Sequence, residues 1–336
     1  MSTDNMPLFV IFLPVRNGAD YVREALDSVF AQTFQNWRLV VLDNASCDAT
    51  PDILAALSDN RVEVLRTERP LGIYENWHRG FDYLQSGEHD DSFVTFLGHD
   101  DLFYPSFLAQ IADLIATDPE ATLYQTMFDL IDDRGDLRRA CHPIPERESW
   151  RDILGSLCWN QRDSFGTGYV FRGKDYRKVG GIPDLPLLLY SDHLLFTRLT
   201  RLGHKACSPT IDFAYRLRRG STSFRINPAK ANADAEALTT FVDALLSEYQ
   251  EFTSSQPGRA AVASLLARTL FLLNTPVLKR SMSLENKRRL EWLEGVYSDM
   301  ARGIPMGNLV GAPTTPSRLI NALRRLNMTV NFIRRR

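Results

Sequence analysis

Residues 92–105 read Ser-Phe-Val-Thr-Phe-Leu-Gly-His-Asp-Asp-Leu-Phe-Tyr-Pro, and this stretch decides the fold. Its first six residues form a short apolar run, which predicts a buried strand that ends at Gly98. Asp100 and Asp101 follow directly, and Tyr104-Pro105 suits the start of a helix. Acids at the carboxyl end of a sheet strand lie where open α/β sheets bind ligands. The pair is therefore either a solvated turn or a holder for a hard cation that also binds phosphate oxygens.

The residues before this stretch alternate between apolar runs and helical patterns. Strands are predicted at 8–13, 37–42 and 61–66, and helices at 21–30, from 50 onward and at 73–84. Apolar strands that alternate with helices predict a mostly parallel α/β sheet with helices on both faces. Polar clusters at 14–17, 43–48 and 99–101 follow three of these strands, so we expect them at one edge of the sheet, as a nucleotide site requires. The chain has neither Gly-x-Gly-x-x-Gly nor Gly-Lys-Ser/Thr, which disfavours dinucleotide dehydrogenases and P-loop enzymes.

The later chain changes character twice. Strands are predicted at 122–131, 165–171 and 211–217, and helices at 108–115, 149–157 and 191–202. Beyond these the pattern is entirely helical, with segments at 229–252, 258–273, 283–301 and 316–333. We therefore expect three parts, 1–101, 102–225 and 226–336, of which the first two form one domain and the third is a helical extension.

Composition limits the classes of protein that the chain can belong to. Of 336 residues, 44% are hydrophobic and 24% are charged, as in ordinary globular proteins. No apolar run reaches the ~18 residues of a membrane span, and the N-terminus lacks the pattern of a secretory signal. Four scattered cysteines argue against a zinc site or a disulfide framework. These features predict a cytoplasmic protein.

The charge of the chain is unevenly distributed. Asp299 is the last acidic residue, and the seven arginines after it give the tail a charge of +7, against −9 for the first 299 residues. In the predicted helix at 316–333, arginines flank an apolar seam. Such a helix either packs on the body of the protein or lies on an anionic membrane surface, which would involve residues 316–336.

Four motifs in this order resemble family 2 glycosyltransferases, which have the GT-A fold. They are Leu-Pro-Val-Arg-Asn-Gly at 13–18, Val-Val-Leu-Asp-Asn-Ala-Ser-Cys-Asp-Ala-Thr at 40–50, Gly-Ile-Tyr-Glu-Asn-Trp at 72–77 and Phe-Leu-Gly-His-Asp-Asp at 96–101. The resemblance covers residues 8 to about 224 and leaves 225–336 unmatched. It implies a nucleotide-sugar-binding half at 1–101 and an acceptor and catalytic half at 102–225.

The resemblance implies that a set of residues surrounds the nucleotide: Pro14, Val15, Asn17, Asp43, Asn44, Arg69 and Asn76. Asp43 would hydrogen-bond the base. His99-Asp100-Asp101 matches the family's Asp-x-Asp motif, so Asp100 would face the ribose or the sugar and Asp101 would bind Mn²⁺ or Mg²⁺. His99 departs from the family's acid and removes one negative charge from the site.

The resemblance also implies the catalytic residues. Ser191-Asp192 matches the family's Glu-Asp motif, so Asp192 would be the general base; otherwise it only complements a helix dipole. Ser191 removes a carboxylate that could raise the pKa of the base. Arg218 stands where the family often has histidine, and it could neutralise a diphosphate. His193 and Trp159 are candidates for the acceptor site, although Trp159 could equally be a core residue.

These residues predict an inverting glycosyltransferase. It would move a sugar from a UDP- or dTDP-type donor to a saccharide or lipid-linked saccharide, in cell-envelope synthesis at the inner face of a membrane. Nucleic acid is not among the expected partners. The departures at His99, Ser191 and Arg218 leave open a non-catalytic nucleotide-sugar-binding or scaffold protein. A nucleotidyltransferase is disfavoured because residues 14–17 do not form a glycine-rich basic loop.

Overall fold

The structure, a computed structural model, describes residues 6–218 and 228–304. The chain forms two compact units. The first contains the described residues up to 153, together with 162–184 and 190–217. The second contains 154–161, 185–189, 218 and the described residues from 228 onward. Among the described residues, the segments predicted at 1–101 and 102–225 thus share the first unit, apart from 154–161, 185–189 and 218.

One sheet of ten strands runs through the first unit. The strands are β1 (Phe9–Val15), β2 (Trp37–Asp43), β3 (Val62–Arg66), β4 (Phe93–Phe96), β5 (Leu102–Phe103), β6 (Leu123–Ile131), β7 (Leu137–Ala140), β8 (Arg147–Glu148), β9 (Tyr169–Arg172) and β10 (Lys205–Arg216). Their order is β3-β2-β1-β4-β9-β6-β10-β5, with β7 beside β6 and β8 beside β10.

The direction of the strands divides the sheet. Strands β1 to β4 pair in parallel, which confirms the prediction for the first hundred residues. β10 is also parallel to β6. β9, however, lies antiparallel between β4 and β6, so the whole sheet is mixed. Apolar runs predict that a strand exists, whereas its direction depends on the path of the connecting chain.

The helices of the first unit connect these strands. They are α1 (Val22–Phe30), α2 (Thr50–Ala55), α3 (Ile73–Tyr83), α4 (Phe107–Thr117), α6 (Gly173–Lys178) and α7 (Ser191–Thr200); α5 (Trp150–Cys158) begins in this unit and ends in the second. In α1, Val22, Ala25, Leu26 and Val29 are buried at helical spacing. They belong to the same apolar core as alternate residues of β1, whose seven residues are all buried. This core fixes the strand ends that carry the polar loops.

The second unit is helical in its described part. Its helices are α8 (Pro228–Glu248), α9 (Gln250–Thr253), α10 (Gln256–Leu273), α11 (Pro276–Ser281) and α12 (Leu284–Ala301). The predicted helices at 229–252, 258–273 and 283–301 correspond to these segments, with the first divided at Tyr249. The predicted helix at 316–333 lies outside the described residues. No helix within 6–218 or 228–304 is both long and apolar enough to cross a membrane.

Candidate active site

The loops after β1 and β2 are joined by hydrogen bonds at the carboxyl edge of the sheet. The main-chain N–H of Asn17 donates to Ser46 Oγ (2.9 Å), and Asn17 Oδ1 accepts from the N–H of Cys47 (2.8 Å). The N–H of Gly18 donates to Thr50 Oγ1 (2.9 Å). The exposed Asn17 has a φ of 51°, so the loop turns sharply at this residue. These bonds confirm that two of the three polar clusters meet at one edge.

The third cluster, the turn at 98–101, lies against the first loop. A Cβ atom on Gly18 would come within 2.7 Å of Cδ2 of His99, so the imidazole packs directly on that glycine. His99 is therefore a packing neighbour of the β1–α1 loop. Gly98 is equally constrained, because a Cβ there would lie 2.6 Å from Asp101 Oδ2. The turn needs a glycine at 98 for the Asp101 carboxyl to fold back over it.

The two acids of this turn have different surroundings. Asp101 is 2% exposed, and both of its carboxyl oxygens accept hydrogen bonds. Oδ2 accepts from Thr167 Oγ1 (2.7 Å), and Oδ1 accepts from the main-chain N–H of Arg216 (2.9 Å). Asp100 is partly exposed. The partly exposed carboxylate of the pair is thus Asp100, whereas Asp101 ties the turn to β10.

Burial and, to a smaller extent, the nearby charge of Asp100 raise the pKa of Asp101 to about 8. Hydrogen bonds from Arg216 and Thr167 act in the opposite direction. The carboxyl of Asp101 is therefore protonated over most of the neutral range. A cation that binds to Asp101 would have to displace this proton, because metals bind the ionised carboxylate.

The carboxylate of Asp43 contacts Ser46 and Arg66. It is 1% exposed at the end of β2; Oδ1 accepts from the N–H of Ser46 (3.1 Å), and Oδ2 pairs with Arg66 (2.5 Å). Arg66 also donates to the carbonyl of Ser46 (2.8 Å). Arg66 was not among the predicted site residues; the parallel pairing of β2 with β3 sets it beside Asp43. Any contact of Asp43 with a base would be made beside this guanidinium.

Other predicted nucleotide residues support the loops. Asn44 exchanges two hydrogen bonds with the main chain of Leu71, at 2.7 and 3.0 Å, and so fixes the loop that carries the exposed Arg69. Asn76 is 5% exposed and accepts from Arg79 (2.9 Å). The side chains of Pro14 and Val15 are buried in the sheet. Of the residues predicted at 14–76 to surround the nucleotide, Asn17 and Arg69 are exposed, whereas the others are buried and support the loops.

Asp192 is the second residue of α7 and follows Tyr190, whose φ is 65°, by two positions. Its Oδ1 accepts from the main-chain N–H of His193 (2.9 Å) and lies 2.7 Å from Nδ1 of the same histidine. The two side chains are 16% and 22% exposed, so both are open to solvent. Ser191 is fully buried. The structure thus brings the predicted base and His193 together as a pair.

Two predicted site residues belong to the second unit, Trp159 and Arg218. Trp159 is partly buried and packs on the cluster formed by Ala260 and Ala263, which corresponds to the packing interpretation; its role at the acceptor site stays a prediction. Arg218 is partly buried and follows the end of β10 by two residues. Its role at the diphosphate stays a prediction. Residues 316–336, predicted to meet a membrane, lie outside the described residues.

Within residues 6–218 and 228–304, no group of three or more His, Cys, Asp and Glu side chains is arranged to hold a metal ion. A divalent cation that binds here would use few protein ligands. Mg²⁺ often binds in this way, through one or two carboxylates plus substrate phosphates and water. Asp100 fits that role, since it is a partly exposed carboxylate whose charge acts on the buried acid beside it.

Comparison with known proteins gives a family and a fold. The model of the family described as Glycosyl transferase family 2 matches residues 10–180. An uncharacterized glycosyltransferase of Rickettsia typhi is 33% identical over 129 residues, which is 38% of this chain and 38% of that protein. A PGL/p-HBAD biosynthesis glycosyltransferase of Mycobacterium bovis is 34% identical over 112 residues, which is 32% of this chain and 42% of that protein. The chain thus spans well under half of these relatives' lengths.

Among solved structures, residues 1–349 of S. aureus TarS have a TM-score of 0.60 at 15% identity, over 88% of this chain and 81% of that chain. The same protein in complex with UDP-GlcNAc has a TM-score of 0.58 at 17% identity, over 90% of this chain and 82% of that chain. This likeness confirms the predicted fold, a GT-A-type α/β sheet with a helical C-terminal region.

Proposed function

The chain belongs to glycosyltransferase family 2, and we propose that it transfers one sugar from a nucleotide-diphosphate donor to a hydroxyl group of a saccharide or lipid-linked saccharide. The observation that carries this proposal is the meeting of three polar loops at one edge of the sheet, one of which carries the partly exposed Asp100. That edge of an α/β sheet is where nucleotides bind. UDP-GlcNAc bound to the similar S. aureus TarS supports the class of donor.

At the donor site we propose Asp100, in place of Asp101, as the ligand of Mn²⁺ or Mg²⁺. Asp101 is buried, and its two oxygens are already hydrogen-bonded. A bound divalent cation would balance the charge of the diphosphate leaving group. Asn17 and Arg69, which are exposed on the adjoining loops, would contact the nucleotide, with Asp43 beside the base. Asn44 and Asn76 would hold these loops in place.

We propose that Asp192 is the general base for the acceptor hydroxyl. Its Oδ1 accepts from the main-chain N–H of His193 and lies beside the ring nitrogen Nδ1, so Oδ2 would take the acceptor's proton. Displacement by the activated hydroxyl at the anomeric carbon would invert its configuration. The anomeric form of the first product, followed by NMR, tests this step.

The same fold could bind a nucleotide sugar without reacting. The experiment that separates the two is a panel of UDP-, dTDP- and GDP-sugars, assayed for release of nucleoside diphosphate with Mn²⁺ and with chelator. Slow release that depends on Mn²⁺ supports the enzyme. Binding of a donor with no release, even after acceptors are supplied, would support a scaffold.

We further propose that the enzyme works at the inner face of a cell membrane, where lipid-linked acceptors are anchored. The basic sequence at 316–336, in which arginines flank an apolar seam, supports this location. Flotation with anionic vesicles should recover more of the full chain than of a chain that ends at residue 315. Equal recovery would contradict the membrane role.

A further inference from the structure

Arg216, the last residue of β10, is a charged residue that is buried almost completely, with 1% of its surface exposed. It contacts both acids of the turn at 98–101. Its Nε–H donates to the main-chain carbonyl of Asp100 (2.8 Å), and its main-chain N–H donates to Asp101 Oδ1 (2.9 Å). One residue therefore holds the turn at two successive positions.

The other donors of the same guanidinium reach two further elements. One terminal nitrogen donates to Glu24 Oε2 on α1 (2.7 Å). The other donates to the carbonyls of Asp132 (3.2 Å) and Asp133 (3.4 Å), in the turn between β6 and β7. The planar fork of arginine can serve these fixed directions at once, whereas the single ammonium of lysine cannot. A buried guanidinium that lost these acceptors would be strongly destabilised, so the network resists partial opening.

We propose that Arg216 is the positioning residue for the Asp100 carboxylate, linking the 98–101 turn to α1 and to the β6–β7 turn. Because it is buried, Arg216 acts through the main chain and does not touch the donor. Its bond to the Asp100 carbonyl fixes the peptide plane between Asp100 and Asp101, and hence the direction of the Asp100 side chain. The inference rests on the proposed function insofar as Asp100 serves the donor site.

Two variants test this role. Arg216→Lys keeps the charge and the main-chain bond but loses the fork. Arg172→Lys is the matched control, since Arg172 also donates to main-chain carbonyls, those of Pro119 and Ala121, and has a charge partner in Asp175. Two readouts are compared: hydrogen exchange of peptides that cover 97–105 and 129–137, and the Mn²⁺ concentration needed for binding of UDP, dTDP or GDP.

We expect Arg216→Lys to speed hydrogen exchange in both peptides. It should also raise the Mn²⁺ concentration needed for nucleotide binding at least tenfold, roughly the effect of a small misplacement of a site group. Arg172→Lys should leave both readouts near wild type. Wild-type exchange at 97–105 in a folded Arg216→Lys protein would overturn the inference. So would an equal change in Arg172→Lys, because the loosening would then be general.

A second variant covers the case in which Arg216→Lys does not fold. Glu24→Ala removes one acceptor of the Arg216 guanidinium. The Glu24 side chain is about half exposed (54%), so the fold should tolerate its loss. Faster exchange at 97–105 would support the inference, and unchanged exchange would contradict it. If wild type binds none of the three nucleotides, the proposed function is in error, while the exchange data still decide the role of Arg216.

Discussion

The first unit contains two acidic sites that are held in different ways. The turn at 98–101 is fixed by residues far along the chain: Thr167 and Arg216 bind Asp101, and His99 packs on Gly18. At the start of α7, the Asp192 carboxylate contacts the main-chain N–H and the ring of the next residue, His193. The sheet thus builds the first site, whereas one helix start builds the second.

The difference corresponds to two tasks in a transferase. A diphosphate anchor gains from rigid placement, since preorganised groups need no rearrangement when charge develops. A base must meet the hydroxyl of an incoming acceptor, and a locally held carboxylate can adjust to it. Changes at the turn should therefore affect donor binding at Asp100 and stability at Asp101, while changes at Asp192 should affect turnover alone.

The largest expected effect is at Asp192. Asp192→Asn should lower transfer by about 10²- to 10⁴-fold, the usual contribution of a general base, with unchanged affinity for the donor nucleotide. The control is Asp52→Asn, which alters an exposed acid in the first turn of α2. Similar turnover in the two variants would mean that Asp192 only complements the helix dipole.

The next effect should appear in stability and separates the two acids of the turn. Asp101→Ala leaves the N–H of Arg216 and the hydroxyl of Thr167 without their acceptor, so the free energy of unfolding should fall by about 1–3 kcal/mol. Asp100→Ala should cost less than Asp101→Ala, because Asp100 is partly exposed whereas Asp101 is buried. Urea unfolding measures both variants. Equal losses would contradict the anchoring role of Asp101.

A pH dependence of stability follows from the raised pKa of Asp101, which is about 8. In the unfolded chain this carboxyl loses its proton near pH 4, whereas the folded protein keeps it. The stability that the protonated group contributes is full below about pH 4 and is lost as pH rises through about 8. Relative to Asp101→Asn, wild type should therefore become less stable in urea unfolding between about pH 5 and 8. A constant difference over that range would contradict the raised pKa.

The smallest expected effect is at His193. His193→Gln removes the contact of the imidazole ring with Asp192 and keeps the main-chain hydrogen bond. Turnover should therefore fall by less than about tenfold. Donor affinity should not change. Steady-state kinetics at saturating donor measure the effect, and a loss as large as that of Asp192→Asn would make the histidine a participant in the chemistry.

Sequence alone predicted the parts of this account that depend on local pattern. Apolar runs ended by polar clusters predicted β1 to β4, their parallel pairing and the edge at which their loops meet. The antiparallel pairing of β9 with β4 could not be predicted from any local pattern. Neither could the assignment of residues 154–161 and 185–189 to the second unit, because both depend on the path of the whole chain.

The sequence identified the acids of the candidate site but not the different surroundings that the fold gives them. Asp100 and Asp101 are adjacent in sequence, and only tertiary contacts from Thr167 and Arg216 distinguish the buried acid from the partly exposed one. Arg66 was similarly missed as the partner of Asp43. Trp159 shows the reverse case, in which an aromatic residue suited to a sugar packs in a helical cluster.

The central claim is that Asp100 anchors the donor through a divalent cation. Calorimetry with UDP, dTDP and GDP, each with and without Mn²⁺, tests it in wild type, Asp100→Asn and Asp101→Asn. The account predicts that Mn²⁺ strengthens binding of at least one nucleotide to wild type and to Asp101→Asn, and that Asp100→Asn loses this gain. If Mn²⁺ still strengthens nucleotide binding in Asp100→Asn but not in Asp101→Asn, the claim is contradicted and the metal ligand is Asp101.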